Sequence, residues 1–252
     1  MYRKKMNLSK RSRLLVLSGF TILLYGTSFF QRKMPEGEAL LVSSDYIWQK
    51  QNTITFSSKV YERSYYNDKN ELCLSLVYRY PLIDGPEKEG VKKINQQIIA
   101  QRDKWIASQQ ELIKDAKEQN LICSTNGNEV NYGITFNKDD ILSILFEGYL
   151  YAGGAHGMPY RMPQTFRVST GEPISLSEVT GLSKEEVTKR INEKFKALYI
   201  QNPNNFWENA VDLVAGLTYE NFSYYVEQDG VHIYFDPYFL APFAAGFVEV
   251  IL

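Results

Sequence analysis

Ile141-Leu142-Ser143-Ile144-Leu145-Phe146-Glu147-Gly148-Tyr149-Leu150-Tyr151 runs directly into Ala152-Gly153-Gly154-Ala155-His156-Gly157, and this stretch decides the fold. Successive side chains of an extended chain point to opposite faces. Ile141, Ser143, Leu145, Glu147 and Tyr149 therefore share one face, and Leu142, Ile144, Phe146 and Leu150 share the other. A strand this apolar on both sides belongs inside a sheet. The three glycines that follow permit a turn at φ values closed to other residues. They bracket one of only two histidines in the chain.

Working outward, residues 53–61 are β-branched and aromatic, and Leu72, Leu74, Leu76 and Tyr78 alternate with smaller residues. With a turn at Asn67-Asp68-Lys69-Asn70 they predict a hairpin, which Pro81 and Gly85-Pro86 should stop. Residues 88–118 contain no proline, and Val91, Ile94, Ile98, Trp105, Leu112 and Ala116 recur at helical spacing. They predict one long amphipathic helix laid across a sheet. Residues 130–136 predict a strand that turns through Asn137-Lys138-Asp139-Asp140 into 141–151, and Ser169-Thr170-Gly171-Glu172 predicts another turn. Ser183-Lys184-Glu185-Glu186 has the form of a capping box for a helix reaching about Tyr199, and a second short helix follows Pro203-Asn204-Asn205. Asp229-Gly230 marks a hairpin between 221–226 and 231–235, and 246–252 closes the chain as a strand. The predicted class is α+β: antiparallel sheets packed by a long amphipathic helix and a C-terminal helix pair, after an N-terminal transmembrane helix.

That leader is read from charge. Arg3, Lys4, Lys5, Lys10, Arg11 and Arg13 precede an uncharged run over 14–30. Its 17 residues span about 25 Å as a helix, near the lower limit for crossing a bilayer. The cations should stay cytoplasmic and the rest should cross, giving a single-pass protein with an extracytoplasmic domain. A cleaved signal peptide, yielding a secreted protein, is the alternative. The expected division is a tail at 1–13, a transmembrane segment at 14–30, a stalk at 31–52 and a domain at 53–252, the last in two parts, 53–125 and 126–252. Removing the six leader cations from the 28 Lys+Arg leaves 22 against 29 Asp+Glu, a net of −7. Such a domain is a poor partner for nucleic acid.

Cys73 and Cys123 either form one disulfide or stay as two buried thiols; no CxxC spacing or neighbouring histidine makes them a metal site. No HExxH and no GxSxG occurs, so no metal, cofactor or catalytic set is expected. The candidate ligand-binding residues are Tyr151, Gly153, Gly154, His156 and Gly157. Open glycines would let backbone amides approach a ligand, with His156 as donor or base. On the competing reading the glycines only turn the chain, and His156 bonds a nearby carbonyl to lock the loop. His232, between Val231 and Ile233, is expected to be a half-exposed strand residue.

Tyr151-Ala152-Gly153-Gly154-Ala155-His156-Gly157 resembles the YxGGAHG signature of the RsiV-like family, the C-terminal ectodomain of anti-sigma-V factor. The segments 166–176, 230–235 and Leu240-Ala241-Pro242-Phe243-Ala244-Ala245-Gly246, which is like APYAAG, follow in that family's order and carry the resemblance over residues 53–252. It implies an envelope sensor and, as partner, a basic protein such as lysozyme. Met158 stands where the family has Asn, and Phe243 where it has Tyr. The 13 residues before the membrane are too few for a stable sigma-factor interface. Some relatives join such a domain to a polysaccharide deacetylase, whose TFDDGP-like metal motif is absent here. The expected function is thus a membrane-anchored extracytoplasmic binding or sensory module recognising lysozyme or a cell-wall glycan, without anti-sigma activity. An envelope hydrolase using His156 and a purely structural envelope protein are the alternatives.

Overall fold

A computed structural model of the protein describes residues 51–118, 123 and 126–252. The tail at 1–13, the segment at 14–30 and all but the end of the stalk at 31–52 lie outside the described residues. Among the described residues no helix is long and apolar enough to cross a membrane.

Strands β1 (Thr55–Tyr66), β2 (Leu72–Asp84), β3 (Gly127–Lys138), β4 (Ile141–Tyr151) and β5 (Met158–Arg167) form one sheet in that spatial order. Strands β6 (Ser223–Glu227), β7 (Gly230–Phe235) and β8 (Val248–Ile251) form a second. Helices α1 (Lys88–Ser108) and α2 (Gln110–Lys117) precede β3, and α3 (Leu176–Thr180), α4 (Lys184–Gln201) and α5 (Ala210–Ala215) precede β6. The class is α+β, with β4 inside the larger sheet.

The sequence reading needs four corrections. The larger sheet is mixed, because β2 and β3 pair in parallel; α1 and α2 return the chain to the end of the sheet where β2 began, which a parallel pair requires. Pro81 does not stop β2. Both the N–H and the C=O of Ile83 bond the side chain of Asn95 on α1, at 2.8 Å each, and so point away from β1. Pro81, two residues earlier, has its missing N–H on that same outer edge, where no ladder bond is lost. The long helix is broken at Gln109, whose N–H bonds Ile106 O while its side chain reaches Asn128. The capping box is complete at Ser175–Glu178 and only half made at Ser183, where the Glu186 carboxylate turns to Arg190 at 3.0 Å.

The β3–β4 turn has Asp139 and Asp140 both left-handed, at φ 50° and 66°, the two-residue geometry whose twist matches its strands. One core lies between the larger sheet and α1–α2, built from Leu74, Leu76, Tyr78, Ile94, Ile98, Ile144 and Phe146. Another lies against α4, where Val187, Ile191 and Phe195 meet Val231, Ile233, Phe235 and Val250. Alternation along β7 and β8 leaves His232, Tyr234 and Glu249 on the opposite face, turned toward the larger sheet. Val226 N donates to Ser143 Oγ at 3.0 Å and Tyr234 OH to Arg161 O at 3.3 Å, joining the two sheets.

Candidate functional site

Between α1–α2 and strands β4 and β5 lies a groove of about 910 Å³. Its walls are mainly uncharged: Gln97, Gln101 and Gln109 on the helices face Asn128, Leu150, Tyr160, Met162 and Gln164 on the sheet, with Lys104 and Glu111 exposed and Asp115 half-buried on the helix side. A polar relay fixes the wall. Trp105 Nε1 donates to Tyr160 OH at 2.7 Å, Tyr160 OH donates to Asn128 Oδ1 at 2.6 Å, and Asn128 Nδ2 donates to Gln109 Oε1 at 2.9 Å. Gln109 Nε2 returns the chain to Trp105 O at 3.1 Å. Each bond occupies the group that would otherwise be a buried orphan. Burial raises the Tyr160 hydroxyl pKa above its ordinary value, against the bonds from Trp105 and to Asn128. Gln164 Oε1 differs from the rest: it is buried and accepts no hydrogen bond.

The relay depends on Gly148. Opposite it in the ladder stands Tyr160, and a Cβ at position 148 would lie 2.1 Å from the tyrosine ring. A hydrogen at this position lets the ring lie across β4 toward α1. Gly148→Ala should therefore push Tyr160 off Trp105 and Asn128 and destabilise the protein by about 2–3 kcal/mol, the sum of overpacking and broken buried bonds. Chemical denaturation followed by tryptophan fluorescence would check this, and an unchanged midpoint would refute it.

The glycine turn lies elsewhere. Residues 152–157 leave the end of β4, with Gly153 and Gly154 at φ 96° and 92°. Tyr151 OH donates to Gly154 O and Gly157 N donates to Tyr149 OH, both at 2.9 Å. His156 is exposed, but both ring nitrogens are engaged: Nδ1 lies 2.9 Å from Gly157 O and Nε2 3.1 Å from Tyr238 OH. Its ring stacks on Phe243 at 3.8 Å. Tyr151, Gly153, Gly154, His156 and Gly157 are thus brought together, and the segments 151–157 and 240–246 meet here as an aromatic clasp between loops. Neither partner of His156 is a serine, threonine or cysteine, the groups a general base would activate for hydrolysis. Tyr238 sits at φ 71°, uncommon for a bulky side chain, with its carbonyl taking the Trp207 indole N–H at 3.1 Å.

The other histidine is buried, not half-exposed: His232 retains 7% of its surface. Its Nδ1 lies 3.2 Å from Glu249 Oε2 and its Nε2 2.8 Å from Asp229 Oδ1. Glu249 also accepts from Tyr225 OH at 2.9 Å and pairs with Arg161, which reaches Glu147 at 3.0 Å. Burial alone would lower the imidazole pKa, but the bonds to Glu249 and Asp229 outweigh it and raise the value to about 9. Burial would raise Glu249, yet bonds from His232, Arg161 and Tyr225 hold it down to about 2. Among the described residues, Glu227, Asp229 and His232 have donor atoms within 4.8 Å of one another and could hold a metal ion. With both imidazole nitrogens committed to carboxylates, the arrangement is accounted for as an ion-pair network.

Residues 67–159 match the family described as deacetylase PdaC. Among curated proteins nothing matches. Of solved structures, a crystal structure of a DUF3298 family member from Bacteroides fragilis has 17% identity and a TM-score of 0.52, covering 81% of this chain and 92% of its own. One of a DUF3298 family protein from Pseudomonas aeruginosa has 15% identity and a TM-score of 0.51, covering 78% and 90%. The likeness is to PdaC and to the DUF3298 fold, not to RsiV. The RsiV-like assignment is therefore withdrawn: residues 67–159, which include the glycine turn, match PdaC, and at these identities the structural neighbours share the fold alone. The groove was not legible in the sequence, where Trp105 reads as core, Asn128 as loop and Tyr160 falls in a stretch given no element, although the structure makes it part of β5. Only the strand register, which sets Gly148 opposite Tyr160, brings them to one wall.

Proposed function

We propose that this chain is a non-enzymatic binding module of the bacterial cell envelope, holding a cell-wall polysaccharide in the groove between α1–α2 and β5. The observation that carries the reading is the groove's lining. Amide side chains and aromatic rings, held by the relay from Trp105 through Tyr160 and Asn128 to Gln109, suit a ligand rich in hydroxyls and weakly charged. The match of residues 67–159 to a family described as a deacetylase is in keeping with a ligand that carries acetyl groups. The Cys73–Cys123 disulfide supports an oxidising compartment, and the basic, then apolar, leader supports anchoring through residues 14–30.

The full-length protein in mild detergent should co-sediment with purified insoluble cell-wall polysaccharide. Ala100→Trp, which fills the groove from an exposed position on α1, should weaken that binding about tenfold. The same variant should not lower the melting temperature, because the position is exposed on the helix surface. Absence of co-sedimentation, or equal binding by the variant, would refute the assignment of this groove.

A further inference from the structure

Glu227, Asp229 and His232 line no part of the groove; they meet at the tip of the β6–β7 hairpin. Tyr225 pairs with His232 and Glu227 with Gly230. Glu227 and His232 are therefore diagonal neighbours on one face, and Asp229 joins them from the turn. His232 Nε2 stands 2.8 Å from Asp229 Oδ1 and 4.0 Å from Glu227 Oε2. Ligand atoms held about 2.0–2.2 Å from a tetrahedral ion stand about 3.4 Å from one another, and the two separations bracket that value. The Asp229 and Glu227 side chains keep 61% and 44% of their surface. An ion thus has a path from solvent, and water has room on its open side.

Two further observations call for a cation at this point. A ring nitrogen bearing a lone pair cannot face a carboxylate oxygen at 2.8 Å; a proton or a metal ion must lie between them. The other nitrogen, Nδ1, faces Glu249 Oε2 at 3.2 Å, and Glu249 is itself braced by Arg161 and Tyr225. That is the carboxylate–histidine arrangement which keeps the proton on Nδ1 and presents Nε2 as a metal ligand. Charge points the same way. Four carboxylates, Glu147, Glu227, Asp229 and Glu249, surround two cations, Arg161 and protonated His232, a net of −2. A divalent ion in place of the Nε2 proton brings that sum to −1 and draws in Glu227, which the proton leaves at 4.0 Å.

We propose that His232 Nε2, together with the carboxylates of Asp229 and Glu227, binds one divalent transition-metal ion of the zinc class, with water in its remaining positions. In the ion-free protein a proton holds that place and completes the ion-pair network described above; the metal displaces it. An imidazole nitrogen among the donors favours zinc over calcium and magnesium, which take oxygen ligands. The site stands apart from the polysaccharide reading and does not depend on it.

The test titrates metal-stripped full-length protein in mild detergent with Zn²⁺ by calorimetry. The expected result is one ion per chain at a micromolar or tighter Kd, undisturbed by about a hundredfold excess of Ca²⁺ or Mg²⁺. Asp229→Asn and Glu227→Gln each remove one ligand from an exposed carboxylate and should weaken Zn²⁺ binding about tenfold or more. Glu227 lies beyond hydrogen-bond reach of Nε2, so Glu227→Gln leaves the ion-free hairpin as it was and keeps the comparison sound if Asp229→Asn misfolds. Because the chain has two histidines, nitrogen-15 spectra of the imidazole rings locate the ion: His232 Nε2 should shift on adding Zn²⁺. Absence of binding, a shift at His156 alone, or an unchanged Kd in Glu227→Gln and Asp229→Asn would overturn the site.

Discussion

Replacing Cys73 and Cys123 by serine should cost about 4 kcal/mol of unfolding free energy, the chain-entropy value for a cross-link closing a loop of this length. The two cysteines are bonded and stand 50 residues apart in sequence. Within that loop lie most of β2, α1 and α2, and the bond ties the end of this excursion to the strand from which it left. Its neighbourhood shows the purpose of the tie. Cys73 is buried in β2, Asn126 Nδ2 donates to Cys73 O at 3.2 Å, and Ser75 N donates to Asn126 O at 3.1 Å. The next residue, Gly127, opens the parallel pairing of β3 on β2. Parallel pairing across a long connection is entropically expensive to form, and the disulfide confines the ends of that connection even in the unfolded chain. Since a domain has only about 5–15 kcal/mol of stability, a quarter or more of the margin is at stake. Guanidinium denaturation of the oxidised protein, of the reduced protein and of the double serine variant would measure it. Reduced and double-variant midpoints within 0.5 kcal/mol of the oxidised one, on the order of ordinary surface changes, would refute the estimate.

What the sequence disclosed follows from period. β4 was legible because its two apolar faces repeat every second residue, and the β6–β7 hairpin because Asp229-Gly230 permits little but a tight turn. α1 showed itself through Val91, Ile94 and Ile98, which the structure buries. What stayed hidden depends on partners distant in the chain. Pro81 reads as a strand breaker until Ile83 is seen bonding Asn95, because the free edge is a property of the assembled sheet. Gln109 carries no helix-breaking signal of its own; it breaks the helix by bonding Asn128, 19 residues on. The glycine turn was the most conspicuous stretch, yet its conspicuousness reports the positive φ of Gly153 and Gly154 and the clasp of His156 on Phe243. The groove's residues have ordinary local sequence, so only register could reveal them. The same is true of Arg161, unremarkable in β5 until Glu249 of β8 arrives beside it.

That arrival creates the second large expected effect. Glu249→Gln should destabilise the protein by about 3 kcal/mol, the range for breaking a largely buried ion pair from one side. The Arg161 side chain is 13% exposed and that of Glu249 27%, so neither is free to be rehydrated in place. Without the carboxylate, Arg161 and His232 keep the more exposed Glu147, Asp229 and, at 4.0 Å, Glu227 as counter-charges. The same network sets a pH dependence. Folded His232 holds its proton to about 9, against an ordinary value of 6.5, so its contribution is whole below pH 6.5 and is lost as pH rises through 9. Folded Glu249 stays ionised to about 2, against 4.5, so its contribution is whole above pH 4.5 and is lost as pH falls through 2. Both describe one cluster of charges, and together they place its greatest stabilisation between pH 4.5 and 6.5. Urea unfolding at pH 5.5 and pH 9.5 should show a loss of about 2 kcal/mol on the alkaline side, and Glu249→Gln should abolish most of that difference by removing the partner that keeps His232 charged. If the alkaline loss persists undiminished in the variant, the proton responsible sits elsewhere, and the seam between the two sheets is held by its rings, Tyr225, Tyr234 and Phe247, and not by its charges.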